Sequence, residues 1–208
     1  MTTPGPSLAL GTVQWGMAYG IANQSGQATA EDVAAMVAMA RAAGVDTLDT
    51  ARAYGSSEAV VGRALAAERA QWRVVTKVDP AVVGEGDTPE QVEVATRASL
   101  QESLHHLGGE GLDLVLLHRP EHRTAAEGAA WRTLRAAQRA GQIGHIGVSA
   151  TCPETAEAAV IVPEVEVMQV ATSLLDRRLV TRGFFERAQQ AQVEVHVRSV
   201  FLLSLIHI

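Results

Sequence analysis

Short apolar runs alternate along the chain with longer stretches in which apolar positions recur at helical spacing. The runs are Leu8 to Val13, Val45 to Leu48, Arg73 to Val78, Leu112 to Leu117, Ile143 to Val148, Val165 to Val170 and Val193 to Val197. Most are almost continuous in Val, Ile and Leu, the pattern of strands covered on both faces. The stretches between them predict helices over Thr29 to Ala43, Ser57 to Ala67, Thr88 to Leu107, Ala125 to Ala140, Pro153 to Val160 and Val180 to Ala191. In the first, Val33, Met36, Val37 and Ala40 share one face, and Gly44 follows as a stop. Thr88-Pro89-Glu90-Gln91 reads as a helix start, with a Thr cap, Pro in the first turn and Gln three residues on.

Strict alternation of strand and helix calls for a parallel sheet with right-handed crossovers. Such a sheet either stays open or closes into a barrel. An open doubly wound sheet normally carries a Gly-rich phosphate turn after its first strand. Here that place holds Thr12-Val13-Gln14-Trp15-Gly16-Met17, with no G-x-G-x-x-G. The α/β reading is therefore a (β/α)8 TIM barrel. That fold takes about 250 residues, and the chain has 208. It is expected to be truncated after the seventh strand, with a single domain over residues 1–202. The tail Leu203-Ser204-Leu205-Ile206-His207-Ile208 departs from the style of the rest. It back-translates as CTG TCT CTT ATA CAC ATC, the end of a transposase adapter used for sequencing libraries. Residues 203–208 are thus expected to be non-native.

Hydrophobic residues make up 47% and charged residues 19%, which excludes a disordered chain. The formal net charge is -6 and no basic stripe is present, which argues against nucleic acid as a partner. No apolar run approaches a membrane span and the N-terminus lacks a signal pattern. With Cys152 as the one cysteine, the expected location is the cytoplasm, and neither a disulfide nor a metal site is expected. The 17 basic residues comprise 16 arginines and one lysine, Lys77. A coding bias towards arginine explains the ratio; a surviving lysine also supplies a compact ammonium that arginine cannot.

In a barrel of this kind chemistry gathers at the C-terminal ends of the strands. Asp49 ends the second predicted strand, Lys77 lies near the end of the third, and His118 follows the fourth. Ser149 ends the fifth, Gln169 lies near the end of the sixth, and Arg198 and Ser199 end the seventh. Tyr54 lies in the loop five residues past Asp49. Each alone has an ordinary explanation, as a cap, a packed ring or a satisfied histidine. Together they deliver a carboxylate, a phenol, an ammonium and an imidazole to one rim. A phenol ordinarily ionises near pH 10, and a neighbouring ammonium favours its phenolate. Asp49 would hold the ammonium, and His118 would bond the same substrate oxygen as Tyr54. Such a set suits reduction of a carbonyl by a hydride-bearing cofactor.

These residues resemble the aldo-keto reductases, NAD(P)H-dependent (β/α)8 barrels. Gly44-Val45-Asp46-Thr47-Leu48-Asp49-Thr50-Ala51-Arg52-Ala53-Tyr54-Gly55, continued by Ser57-Glu58 and Gly62, is similar to the first signature of that family. Thr76-Lys77-Val78, Leu116-Leu117-His118 and Gly144-His145-Ile146-Gly147-Val148-Ser149 resemble its later motifs, in the same order. The resemblance implies Tyr54 as general acid, Lys77 favouring loss of its proton, Asp49 paired with Lys77, and His118 orienting the carbonyl. It implies cofactor contacts from Thr12, Ser149, Gln169, Arg198 and Ser199, and a substrate mouth lined by Trp15, Met17 and Tyr19. NADPH is favoured over NADH on the same ground, and the partner is a small carbonyl compound. The chain departs from the family where Ala150 replaces an Asn, Arg198 an aromatic residue, and Thr172-Ser173 a Tyr-Asn pair. These departures imply a divergent bacterial-type branch. The family grips the adenosine phosphate after its eighth strand, so this chain is expected to hold cofactor weakly and to be of low activity. Two rival readings use the same fold: a lyase with Lys77 as Schiff-base nucleophile, and a regulatory subunit without activity.

Overall fold

The computed structural model describes residues 7–21 and 23–200; the tail 203–208 lies outside them. Seven strands form one parallel sheet in sequence order: β1 (Ala9–Gly11), β2 (Thr47–Asp49), β3 (Arg73–Lys77), β4 (Leu112–Leu117), β5 (Ile143–Ala150), β6 (Val167–Ala171) and β7 (Glu194–Arg198). Helices cover its outer face: α1 (Val13–Gly16), α2 (Ala30–Ala42), α3 (Ser57–Leu65), α4 (Pro89–Leu107), α5 (Ala125–Arg139), α6 (Pro153–Val160), α7 (Arg178–Thr181) and α8 (Phe184–Gln190). The sheet curls as a barrel lacking its eighth strand. Among the described residues β1 and β7 each keep one unpaired edge.

Side chains alternate across the sheet, and the two faces have different jobs. Leu48, Val74, Val115, Leu117, Ile146, Val148, Met168 and Val170 point outward into the main core beneath the helices. Val75, Leu114, Leu116 and Val167 form a smaller apolar plug on the inner face. The inner parity then carries Asp49, Lys77, Ser149, Gln169 and Arg198 to the C-terminal rim. The register sets them beside one another, with Lys77 opposite Leu116, Ser149 opposite Gln169 and Ala171 opposite Arg198. At the other end, Arg73 of β3 makes a bidentate ion pair with Glu194 of β7, at 2.5 and 2.9 Å. These strands are not neighbours, so the pair spans the inside of the curl.

Helix limits follow local chemistry. Thr29 and Thr88 each cap a helix with a reciprocal capping box, through Asp32 and Gln91. Three expectations are corrected. The first strand is shorter than Leu8 to Val13, because Thr12 turns out of it to bond Asp49 and α1 begins at once. The stretch Val180 to Ala191 is not one helix. Gly183, at a φ of 66°, divides it into α7 and α8. The first turn of α5 is left-handed at Ala126, Glu127 and Gly128, at φ values of 46°, 56° and 73°, so the span opens on a kink.

Helices α3 and α4 cross at Gly62, where a Cβ would collide with the backbone carbonyl of His106. The Gly62→Ala variant is expected to lose about 2 kcal/mol of stability, because neither backbone can give way. A denaturant midpoint equal to that of the native chain would contradict this close crossing.

Candidate active site

The site is built on the junction of β2 and β3. Lys77 is 1% exposed, and an ammonium so enclosed is costly unless paired. It is paired: Nζ donates to Asp49 Oδ1 at 2.8 Å and to the Thr50 carbonyl at 2.9 Å. Its third side faces the Tyr54 ring, with Nζ 4.9 Å from the ring centroid. The contact is ammonium to ring. Tyr54 also meets His118 edge-on, at 5.9 Å between centroids and 88° between planes. The three strand-end residues Asp49, Lys77 and His118 and the loop residue Tyr54 therefore converge.

His118 is held neutral. Burial, then the positive charges of Lys77 and Arg198, lower its pKa to about 4. Its Nδ1 is buried and has no hydrogen-bond partner among the described residues. A neutral imidazole offers one N–H donor, which suits it to polarise an oxygen. The shift also makes stability depend on pH. The native state excludes a proton that the unfolded chain accepts below its ordinary pKa of 6.5. Stability is therefore full above that value and declines as pH falls towards 4. Buried His122 is lowered in the same direction, chiefly by burial. The His118→Leu variant is expected to lose part of this slope, read as denaturant midpoints at several pH values across that window. An unchanged slope would contradict the burial of a neutral His118.

Gln169 and Ser149 stand beside this cluster. Gln169 Nε2 donates to Asp49 Oδ1 at 2.8 Å, and Ser149 Oγ donates to Gln169 Oε1 over a long 3.4 Å. A hydroxyl and an amide oxygen so loosely joined retain capacity for one more donor and one more acceptor. That pair of complements is what a carboxamide presents, so the residues fit a nicotinamide cofactor. Arg198 reaches across the rim, donating to the Ala150 carbonyl at 3.4 Å and to Ser199 Oγ at 3.2 Å. Ser199 adopts a left-handed φ of 61° that turns the chain away from the strand.

Two expected contacts are placed elsewhere. Thr12 is fully enclosed; its hydroxyl donates to the Asp49 carbonyl at 3.0 Å and lies 2.8 Å from Ser57 Oγ. It braces Asp49 from behind and presents no free hydroxyl. Trp15 is 1% exposed and belongs to the main core, so it supports the loop without lining a mouth. Met17 and Tyr19 are exposed.

Sequence reasoning gave no role to a second buried layer. Ser57 bonds Thr12 and Thr50, closing a hydroxyl network beneath Asp49. Glu58 accepts from Thr76 Oγ1 at 2.6 Å and from Arg52 Nη1 at 2.8 Å. Arg52 also pairs with Glu102. The spacing Ser57-Glu58 within the resemblance motif marks these positions, but their contacts lie across three elements and cannot be read from one.

Comparison with known proteins identifies the family and the fold. The sequence model of the aldo/keto reductase family matches residues 7–205. An aldo-keto reductase of Mycobacterium sp. (strain JLS) is 34% identical over 160 residues, covering 74% of this chain and 55% of that protein. One of Mycolicibacterium smegmatis is 36% identical over 115 residues, covering 54% and 38%. The chain thus spans about half the length of these relatives or less. A solved structure from Pseudomonas aeruginosa, assigned to the aldo-keto reductases, superposes with a TM-score of 0.76 at 29% identity, covering 92% of this chain and 72% of that one. The holo form of a Bacillus halodurans aldo-keto reductase shares the fold, with a TM-score of 0.72 at 21% identity over 92% of this chain and 61% of that one. With a matching family model over nearly its whole length and a partial barrel that aligns with solved members, this chain belongs to the aldo/keto reductase family.

Proposed function

We propose that the chain carries the catalytic rim of a carbonyl reductase, which converts an aldehyde or ketone to an alcohol. The observation that carries the proposal is the enclosed Lys77 ammonium, bonded to Asp49 and lying 4.9 Å from the Tyr54 ring, with neutral His118 edge-on to the same ring.

When bound, NAD(P)H would supply the hydride for the carbonyl carbon. Tyr54 and His118 take the carbonyl oxygen between them. His118 donates its one N–H and polarises the bond. Tyr54 gives its phenolic proton to the oxygen as negative charge develops there, and solvent later restores that proton. Lys77 stabilises the phenolate left behind. Asp49 keeps Lys77 in place, and its one shared oxygen also fixes Gln169. Ser149 and Gln169 would hold the carboxamide of the cofactor, with Arg198 and Ser199 beside its ring and phosphates. Met17 and Tyr19 would border the substrate mouth. NADPH is the favoured donor and a small carbonyl compound the acceptor, in the cytoplasm. The Schiff-base alternative is disfavoured by the same enclosure: at 1% exposure, Lys77 Nζ gives a carbonyl carbon little access.

The test is oxidation of NADPH and NADH with a panel of aldehydes and ketones, by the chain completed with an eighth strand and helix. Expected is carbonyl-dependent oxidation with one equivalent of alcohol formed. Borohydride trapping of a carbonyl adduct on Lys77, with no cofactor oxidation, would replace this reading by the lyase.

A further inference from the structure

We propose that Arg198 sets the preference of the site between the two redox states of its cofactor, so that the reduced, neutral nicotinamide is held more tightly than the oxidised, cationic one. The inference rests on the assignment of Ser149, Gln169 and Arg198 to the nicotinamide end of the site.

Arg198 ends β7 on the inner face, opposite Ala171, two and four residues beyond His196 and Glu194 on the same side. Its guanidinium bonds only neutral acceptors, the Ala150 carbonyl and Ser199 Oγ. Among the described residues it forms no ion pair, in contrast to Arg73 at the opposite end of the inner face, which Glu194 neutralises. At the rim, Asp49 Oδ1 already accepts from Lys77 and Gln169. Lys77 is thus matched by Asp49, His118 adds no charge near neutral pH, and the charge of Arg198 is left over. The Arg198 guanidinium is thus a fixed cation with no carboxylate partner among the described residues.

The two states of the cofactor differ at the ring, which is cationic when oxidised and neutral when reduced. Hydrogen bonds from Ser149 and Gln169 to a carboxamide serve both states alike. A fixed guanidinium beside the ring opposes only the oxidised one. An aromatic residue in the same place would act with the opposite sign, since the face of an aromatic ring attracts a cation. Arg198 therefore promotes escape of the oxidised product and biases the site towards reduction.

The experiment titrates the chain itself with NADP+ and with NADPH, following tryptophan fluorescence or heat of binding. The ratio of the two dissociation constants is the readout. The adenosine end is common to both ligands, so a weak grip there cancels from the ratio. In the native chain the oxidised form is expected to bind about tenfold more weakly, and Arg198→Gln and Arg198→Met to bring the ratio close to one. Arg198→Lys, which restores charge, is expected to restore most of the ratio. Circular dichroism checks that each variant folds. Equal loss of affinity for both forms, or an unchanged ratio in both neutral variants, would overturn the inference and leave the carbonyl-reductase reading standing. Binding of neither form to the native chain would overturn the inference, and the carbonyl-reductase reading would be decided by the turnover test above.

Discussion

In the Tyr54→Phe variant, carbonyl reduction is expected to fall by about 10²- to 10⁴-fold, the range supplied by a positioned general acid. Cofactor affinity is expected to stay as it is. The substitution keeps the ring, and with it the edge-on contact to His118 and the approach of the Lys77 ammonium to the ring face. It removes only the transferable proton. The loss should therefore appear in kcat, with the fluorescence titration of cofactor unchanged. Stability should move little, because no described residue hydrogen-bonds through the lost hydroxyl. Turnover equal to that of the unaltered protein would remove Tyr54 from its role. A matching loss of cofactor binding would point to a collapsed loop instead of a missing acid.

Much of this site is legible along the chain because a parallel barrel reduces a three-dimensional question to a one-dimensional one. Whatever ends a strand on the inner parity reaches one rim, so Asp49, Lys77, Ser149, Gln169 and Arg198 follow once strands and their direction are known. His118 needs one residue more, and Tyr54 needs the length of a loop. What periodicity does not convey is depth. Trp15 lies in α1, just past the strand end where a mouth would form, yet it is enclosed by α3 and the core. Thr12 reads as an accessible hydroxyl at a strand end, yet its bonds are spent on Asp49 and Ser57. Breaks in helices are hidden for a different reason. Phe184 and Ala188 keep the apolar spacing of α8, and only the left-handed Gly183 marks the interruption before them. In the first turn of α5, Ala126 and Glu127 adopt left-handed backbone that their side chains disfavour. Of the three left-handed residues only Gly128 suits that backbone, and one glycine in a helical pattern does not mark the kink.

Removal of the Glu58 carboxylate is the second large effect expected. Glu58 is 1% exposed and joins three parts of the site at once. It accepts from Arg52, two residues before Tyr54 in the loop, and from Thr76, the neighbour of Lys77 on β3. The loop that carries the acid and the strand that carries the ammonium are thereby fixed to one side chain on α3. In Glu58→Ala the Arg52 guanidinium keeps only its outer partner Glu102 and the adjacent His106 Nδ1, and a buried hydroxyl loses its acceptor. The expected cost is about 3 kcal/mol, the scale for breaking a buried pair on one side. Glu58→Gln retains an acceptor for Thr76 and should lose less. Because Glu58 touches none of the reacting atoms, it acts through position alone. Its loss should lower kcat by widening the distance between Tyr54 and Lys77, and binding of NADPH through Ser149 and Gln169 should survive. A variant with native stability and native kcat would show that the loop is held by the Thr12, Ser57 and Thr50 hydroxyls without it. A variant that is destabilised but fully active at low temperature would confine Glu58 to folding, and separate the support of the site from its chemistry.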